Sequence, residues 1–567
     1  MGSGIFALST RAMFANQAML DTTAHNISNV NTPGYSRQKV ELSTEGGMYT
    51  GAGFFGRGVK VTTITRSTNE FLIKSANEAS AAASADKTRL DKLEQLETVL
   101  PTGETGLGYA ATQLLNAFVD VANQPQDMSA RQVVLSRAEE WASRIRSSAQ
   151  QIEQLQAGVI SDLGTDIKQI NDYAKQIARL NQDIASAKGT GQPPNDLMDR
   201  RDEVITRLNK LVQVNTVEAD DGSLSVFMGG GQLLVLSNQA QELALMQGTN
   251  ADGITVGAVG IVTANSLRQL DDSQLVGGGL RGLLDFQNKD LASTRKDLND
   301  FASSFAAAIN TQQQLGILAK KDAAGNVLQG NALFTGMDKA ITVRVNLQNP
   351  QDIAAASPLV AYTADTNRGT MSVDSLTMNA PSGRALPATP LTLTFQTPAT
   401  GSGFNVVDGS GNLIAANWLP GQNLVFNDAG GAALFTQRIT GVPEAGDSIT
   451  IEPPVDPSGN NGNARGMLEL RDRNLISLSS NGSVTTVTNA YSQMIGNLGV
   501  LVQSGRTASS ISSALDTQAT QTLEATRGVN LDEEAARLIQ FQQSYQAAAK
   551  VLQVAQKVFD TLLNVSQ

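Results

Sequence analysis

The sequence predicts a mainly α protein with β insertions. N- and C-terminal helices form a coiled coil, an elongated helical bundle makes up most of the chain, and a separate small all-β domain is inserted into it. Three observations predict this class. Apolar residues recur in alternating steps of three and four at both chain ends. The same rhythm runs through long internal stretches. Eleven of the 16 prolines fall between residues 340 and 462. With 567 residues, the chain has material for several cores at about 150 residues per domain.

At the N-terminus, Ile5, Leu8, Ala12, Ala15 and Met19 lie on one narrow helical seam. Up to residue 36 the remaining positions are polar but carry only Arg11 and Asp21 as charges. The helix is expected to end before Asn31-Thr32-Pro33-Gly34, because proline drives its predecessor extended and Pro-Gly fits the centre of a type II turn. Residues 40–66 then read as short strands with glycine turns.

Val134, Ala138, Trp141, Ile145, Ile152 and Val159 keep a heptad-like rhythm, which Ile167, Ile170, Ala174 and Ile177 extend toward Lys188. GTGQPPND at 189–196 breaks it, and a further helix runs through 197–212. Residues 212–246 alternate like strands around a hairpin turn at 220–222. Leu280, Leu284, Leu291, Leu298, Phe301, Phe305 and Ile309 mark one helix, and 484–526 another. In 340–462, runs such as LTLTF and SITIE predict strands.

The C-terminal helix starts at Asn530 as N-cap, with Asp532, Glu533 and Glu534 in the first turn, where the helix dipole favours negative charge. Its seam is Leu538, Phe541, Tyr545, Ala548, Leu552, Ala555, Phe559 and Leu562. The expected division is therefore 1–60 with 528–567, then 61–339 with 463–527, then the insertion at 340–462.

Composition narrows function. Lys plus Arg number 42 against 53 Asp plus Glu, a net charge of −11, which disfavours a nucleic-acid-binding body. With no cysteine and His25 as the only histidine, thiolate metal sites, disulfides and thiol nucleophiles are absent, and a metal or triad role would leave His25 working almost alone. We read it as a packing or capping residue. No window reaches the roughly 18 apolar residues of a membrane span. The first 20 residues lack the pattern of a cleaved secretion signal.

Other motifs read as structure. Gly51, Gly53 and Gly56 match G-x-G-x-x-G, but a strand follows where a helix is required. Gly277–Gly279 reads as a flexible helix entry, the acidic pairs at 220–221 and 271–272 as solvated turns, and Asp199-Arg200-Arg201-Asp202 as a surface ion-paired face. The terminal seams stand out because their flanks carry almost no charge, as if built for contact on several sides.

Asn26-Ile27-Ser28-Asn29-Val30-Asn31-Thr32-Pro33-Gly34-Tyr35-Ser36-Arg37-Gln38, following an amphipathic helix, resembles the signature of bacterial flagellar axial proteins of the rod, hook and hook-associated type. GVNLDEEAARLIQFQQSYQAAAKVLQVAQKVFDTLL resembles the matching C-terminal end. The motif residues are Asn26, Asn29, Asn31, Thr32, Pro33, Gly34 and Tyr35. The Tyr35-Ser36-Arg37-Gln38 continuation and the Asp532-Glu533-Glu534 opening look like the hook-associated branch, and segments 195–212, 277–291 and 307–317 are similar to its helical domain.

The resemblance implies a non-enzymatic structural protein without cofactor or metal. It would be exported by the flagellar type III apparatus without cleavage and assemble as a short ring at the distal end of the hook. The terminal helices would form an inner tube. The implied partners are copies of the chain, the hook protein, a second junction protein, and a cytoplasmic export chaperone at the C-terminal region. Alternatives are another axial component such as hook protein, or an extracellular adhesin or enzyme using 340–462.

Overall fold

The computed structural model describes residues 2–50, 53–189, 192–263, 266–321, 323, 327–379, 389–427, 431–480 and 482–565. Gly51 of the glycine motif and the side chain of Leu562 lie outside what is described.

Helix α1 (Gly2–Ser28) leads into strands β1 (Gln38–Thr44), β2 (Met48–Thr50), β3 (Gly53–Phe55) and β4 (Val59–Arg66). Helices α2 (Glu70–Glu97), α3 (Leu107–Asn123), α4 (Met128–Lys188) and α5 (Asn195–Leu211) follow. Next come β5 (Val214–Glu218), β6 (Leu224–Met228), β7 (Leu233–Leu236), β8 (Gln239–Ala240), β9 (Leu243–Thr249), β10 (Thr255–Val262) and β11 (Leu267–Gln269). Helices α6 (Gly279–Asp285) and α7 (Ala292–Leu315) precede the short strands β12 (Ile317–Lys321), β13 (Val327–Gln329), β14 (Phe334–Thr335) and β15 (Arg344–Val345).

The inserted strands are β16 (Val360–Thr363), β17 (Ser372–Met378), β18 (Leu391–Gln396), β19 (Phe404–Asp408), β20 (Leu413–Trp418), β21 (Asn423–Asn427), β22 (Ala433–Thr440) and β23 (Ser448–Glu452). The chain closes with α8 (Gly462–Glu469), β24 (Ile476–Ser477), β25 (Val484–Thr485), α9 (Val487–Arg527) and α10 (Leu531–Val565).

Local chemistry explains the joints. Tyr35 N–H donates to Thr32 C=O at 3.2 Å across Pro33-Gly34, and Gly34 has φ +77°, the geometry of a type II turn. Pro193-Pro194 separates α4 from α5. The acidic turn at 220–222 joins β5 to β6 in antiparallel register, Val214 opposite Met228. The single helix expected over 280–309 is instead α6 and α7 joined by a π-helical turn, Phe286–Leu291. Glycine 53 lies in β3, and β4 rather than a helix follows it.

Backbone contacts group the chain into two compact units whose boundaries fall inside α2, α4, the π-helical turn and α9. The first comprises 1–94, 156–289 and 502–567. In it α1 packs against α10, β1 pairs with β4, and two sheets form in the orders β5-β6-β7-β8 and β11-β10-β9. Gln287 clips the second sheet, its amide donating to Gly257 C=O and accepting from Gly257 N–H, each at 2.9 Å. Gly278, at φ +84°, lies so close to the Leu211 carbonyl that an added Cβ would sit 2.5 Å from it. This is tight packing rather than a flexible entry.

The second unit comprises 95–155 and 290–501. Trp141 of α4 packs against Phe305 and Phe334, with ring centroids 4.8 and 5.0 Å away. The inserted strands form a five-stranded sheet, β16-β23-β18-β19-β20, and a three-stranded sheet, β17-β22-β21. They share a core that includes Phe395, Trp418, Phe426, Phe435, Ile439 and Ile449. Alternating burial along β21 and β23 is what strands with one face on a core require.

Candidate assembly site at the paired termini

Helix α10 opens as its sequence dictates. Asn530 Oδ1 accepts from Asp532 N–H at 3.0 Å and Glu533 N–H at 3.4 Å, and the three carboxylates occupy the first turn. Along α10, Leu538, Phe541, Tyr545, Ala548 and Leu552 are half-buried and Ala555 is buried. Phe559 departs from this pattern and is exposed.

The face of α1 differs from the apolar seam expected. Ala15 is buried and Ala12 and Met19 are half-buried, but Ile5 and Leu8 remain 48% and 40% exposed. Ser9, Asn16, Thr22 and Thr23 are buried instead. The first three satisfy themselves locally by donating to the carbonyl four residues back, each at 2.8 Å. Short polar side chains bonded this way pack closely without a buried donor left over.

Below the helix pair, the family motif forms a polar knot. Asn26 Nδ2 donates to Gln38 C=O at 2.9 Å and to Glu534 Oε2 at 3.0 Å. Asn26 Oδ1 accepts from Tyr35 O–H at 2.7 Å and Gln38 N–H at 2.9 Å. All of the asparagine's usual capacity is thereby used. Arg37 Nε pairs with Glu534 Oε1 at 2.8 Å, and Arg37 N–H donates to Arg527 C=O at 2.8 Å. Burial, with the carboxylates of Asp199, Asp196 and Glu534 nearby, pushes the Tyr35 phenol up, which keeps it a neutral donor.

The rest of the motif shapes the turn. Asn29 Nδ2 donates to His25 C=O at 2.9 Å, and Thr32 Oγ1 donates to Asn29 Oδ1 at 3.2 Å. Asn31 is exposed. His25 is exposed, yet it packs as expected: its ring lies against that of Tyr35, centroids 5.7 Å apart, with Nδ1 3.1 Å from Tyr35 Oη.

The charged run on α5 completes the knot and corrects the surface reading of that run. Asp199 and Arg201 are buried. Asp199 accepts from Ser36 N–H at 3.1 Å, and Arg66 of β4 bridges Asp199 and Asp202 at 2.8 Å each. Burial raises the Asp199 carboxyl, against the Arg66 and Ser36 bonds that lower it. Arg201 turns away to Gly222 C=O at 2.7 Å and Asn181 Oδ1 at 3.2 Å, inside the β5–β6 hairpin. Sequence reading could not find these partners: Arg66 lies 133 and 136 positions from its two aspartates, and nothing local to α5 shows that Arg201 reaches the Gly222 carbonyl 21 positions on.

Outside the helix pair, apolar surface is left uncovered. Val551, Val554 and Val558 repeat the three-four spacing on a second face of α10 and are exposed, Val554 by 62%. On α1, Phe14 is 70% exposed. An apolar outer strip of this kind is the surface pattern of a protein contact face. Among the described residues no group of three metal-ligating side chains occurs, and no helix is long and apolar enough to cross a membrane.

Paired terminal helices joined at this motif carry the residues by which the sequence resembles flagellar axial proteins. The comparisons agree. Residues 93–334 match the flagellar hook-associated protein FlgK helical domain, 521–565 the flagellar basal body rod FlgEFG protein C-terminal family, and 8–35 the flagella basal body rod protein family. Flagellar hook-associated protein 1 of Salmonella typhimurium is 27% identical over 97% of this chain and 98% of its own length. The Escherichia coli protein of that name is 27% identical over 97% of both chains, and the Bacillus subtilis one 24% identical over 98% and 96%. The fold is similar to that of the flagellar hook junction protein FlgK from Burkholderia pseudomallei, with a TM-score of 0.66 and 23% identity, covering 79% of this chain and 99% of that one. Over nearly its full length the chain is similar to flagellar hook-associated protein 1, and its role is structural, in the extracellular flagellum.

Proposed function

We propose that the chain joins hook to filament as a short ring at the distal end of the hook. The observation that carries this is similarity to hook-associated protein 1 over nearly the full length of both chains. In this reading 1–60 and 528–567 form the inner tube, with the seams and the outer strip of α10 meeting neighbouring copies. The parts at 61–339 with 463–527, and the insertion at 340–462, lie outside it. Neighbours in the axial direction are hook protein below and a second junction protein above. A cytoplasmic chaperone covers the C-terminal helix before export through the type III apparatus, without cleavage of a signal. The low charge of α1, with only Arg11 and Asp21, supports dense stacking, since like-charged faces would repel.

Deleting the gene tests the assignment. Hooks should remain, bare of filament, with filament subunits released into the medium. Filaments retained on the deletion strain would refute it, and loss of the hook itself would point to another axial component.

A further inference from the structure

The second unit carries a cleft of about 470 Å³, lined by β16, β17, the 454–461 loop and α8. That volume is in the range of small-molecule sites, about 300–1,000 Å³. Ser357 lines it and is buried, and among the described residues its hydroxyl has no hydrogen-bond partner. Tyr362 contributes a ring that is 51% exposed. Asp374 lies 3.5 Å from Arg465 and 3.7 Å from Arg438. Both separations exceed the roughly 2.7–2.9 Å of a direct charge-assisted bond, so the carboxylate keeps acceptor capacity.

The shape and charge of the cleft select a ligand class. Cα atoms of β16 and β17 approach within 8 Å, whereas strands flanking an inserted third would be about 9.5 Å apart, so no extended peptide fits between them. Asp374, Asp456 and Glu469 outnumber Arg465 in the wall, which opposes phosphates and acidic ligands. An exposed aromatic face beside carboxylates and a guanidinium matches a sugar ring, which offers an apolar face and adjacent hydroxyls. We propose that this cleft binds a saccharide without negative charge, stacked on Tyr362 and hydrogen-bonded to Asp374 and Arg465.

Saturation-transfer NMR on the full-length protein tests this with chitobiose, glucosamine and glucuronate. Saturable binding of the first two is expected, with Kd on the order of 1 mM, and at least tenfold weaker binding of glucuronate. Tyr362→Ala and Asp374→Asn should each weaken chitobiose binding at least tenfold without changing the circular dichroism melt, because both side chains stand outside the core. Absence of saturable binding of chitobiose and glucosamine, equal binding of glucuronate, or unchanged affinity in both variants overturns the proposal.

Discussion

Replacing Glu534 by alanine removes the group on which both ends of the chain close. Its carboxylate accepts from Asn26 at 3.0 Å and Arg37 at 2.8 Å; its own side chain is 1% exposed, whereas that of Arg37 keeps 18% exposure. Truncating one member of a buried ion pair costs about 3–5 kcal/mol, chiefly through the charge left behind. Arg37 can turn partly to water and Asn26 keeps three other bonds, so the cost falls at or just below the bottom of that range, about 2–3 kcal/mol. At 1.36 kcal/mol per decade, that is about a 30- to 160-fold rise in the opening equilibrium of the motif. Hydrogen exchange at the Arg37 and Gln38 amides reads it directly, since they donate to Arg527 C=O and Asn26 Oδ1. Adding Arg37→Ala to Glu534→Ala should change little more, the mark of coupled residues. Protection within threefold of the parent, or additive effects of the two substitutions, would refute the knot.

Four further outcomes are expected. Burial and the neighbouring Asp162 carboxylate raise Asp166 to about 6 from 3.8, so the native state binds this proton more tightly than the unfolded chain does. Its contribution to stability therefore falls as pH rises from about 4 to 6 and is level above; Asp166→Asn should gain about 1–2 kcal/mol over the parent at pH 8 and nothing at pH 4, and a gap in Tm that ignores pH would contradict this. Gly278→Ala, forced into the Leu211 backbone at positive φ, should cost about 2–4 kcal/mol in chemical denaturation, and a variant as stable as the parent would show that the loop gives way. Phe541→Asp or Leu552→Asp should block incorporation into flagella, since a carboxylate without a partner in a docked seam costs about 2–5 kcal/mol; normal filaments on such a strain would remove the seam from assembly. Val554→Asp should leave the melting of the free chain unchanged, because the side chain is exposed there, yet prevent incorporation as assayed by immunogold labelling of hook tips.

Short-range chemistry made much of the fold legible. The Pro33-Gly34 turn, the Asn530 cap and the 220–222 hairpin each depend on a few adjacent residues, and the structure has all three. The heptad-like run through Trp141 and Ile145 likewise showed which face of α4 would be buried. What escaped was set by distant partners. The charged stretch of α5 looks like a solvated face until Arg66 is brought across Asp199 and Asp202, and Arg201 is drawn to the carbonyl of Gly222. Apolar periodicity in α1 cannot register that Ser9, Asn16 and Thr22 bury themselves by bonding to their own backbone. The outer strip at Val551, Val554 and Val558 carried a readable three-four signal, but it was masked by the stronger neighbouring seam.

The bond between Asn26 and Glu534 spans 508 positions of sequence. A chain that stops short of Glu534 therefore still forms the Pro33-Gly34 turn and three of the four Asn26 bonds, but leaves Arg37 without its carboxylate. Whether the two ends of the chain have met is thus registered at one charge pair.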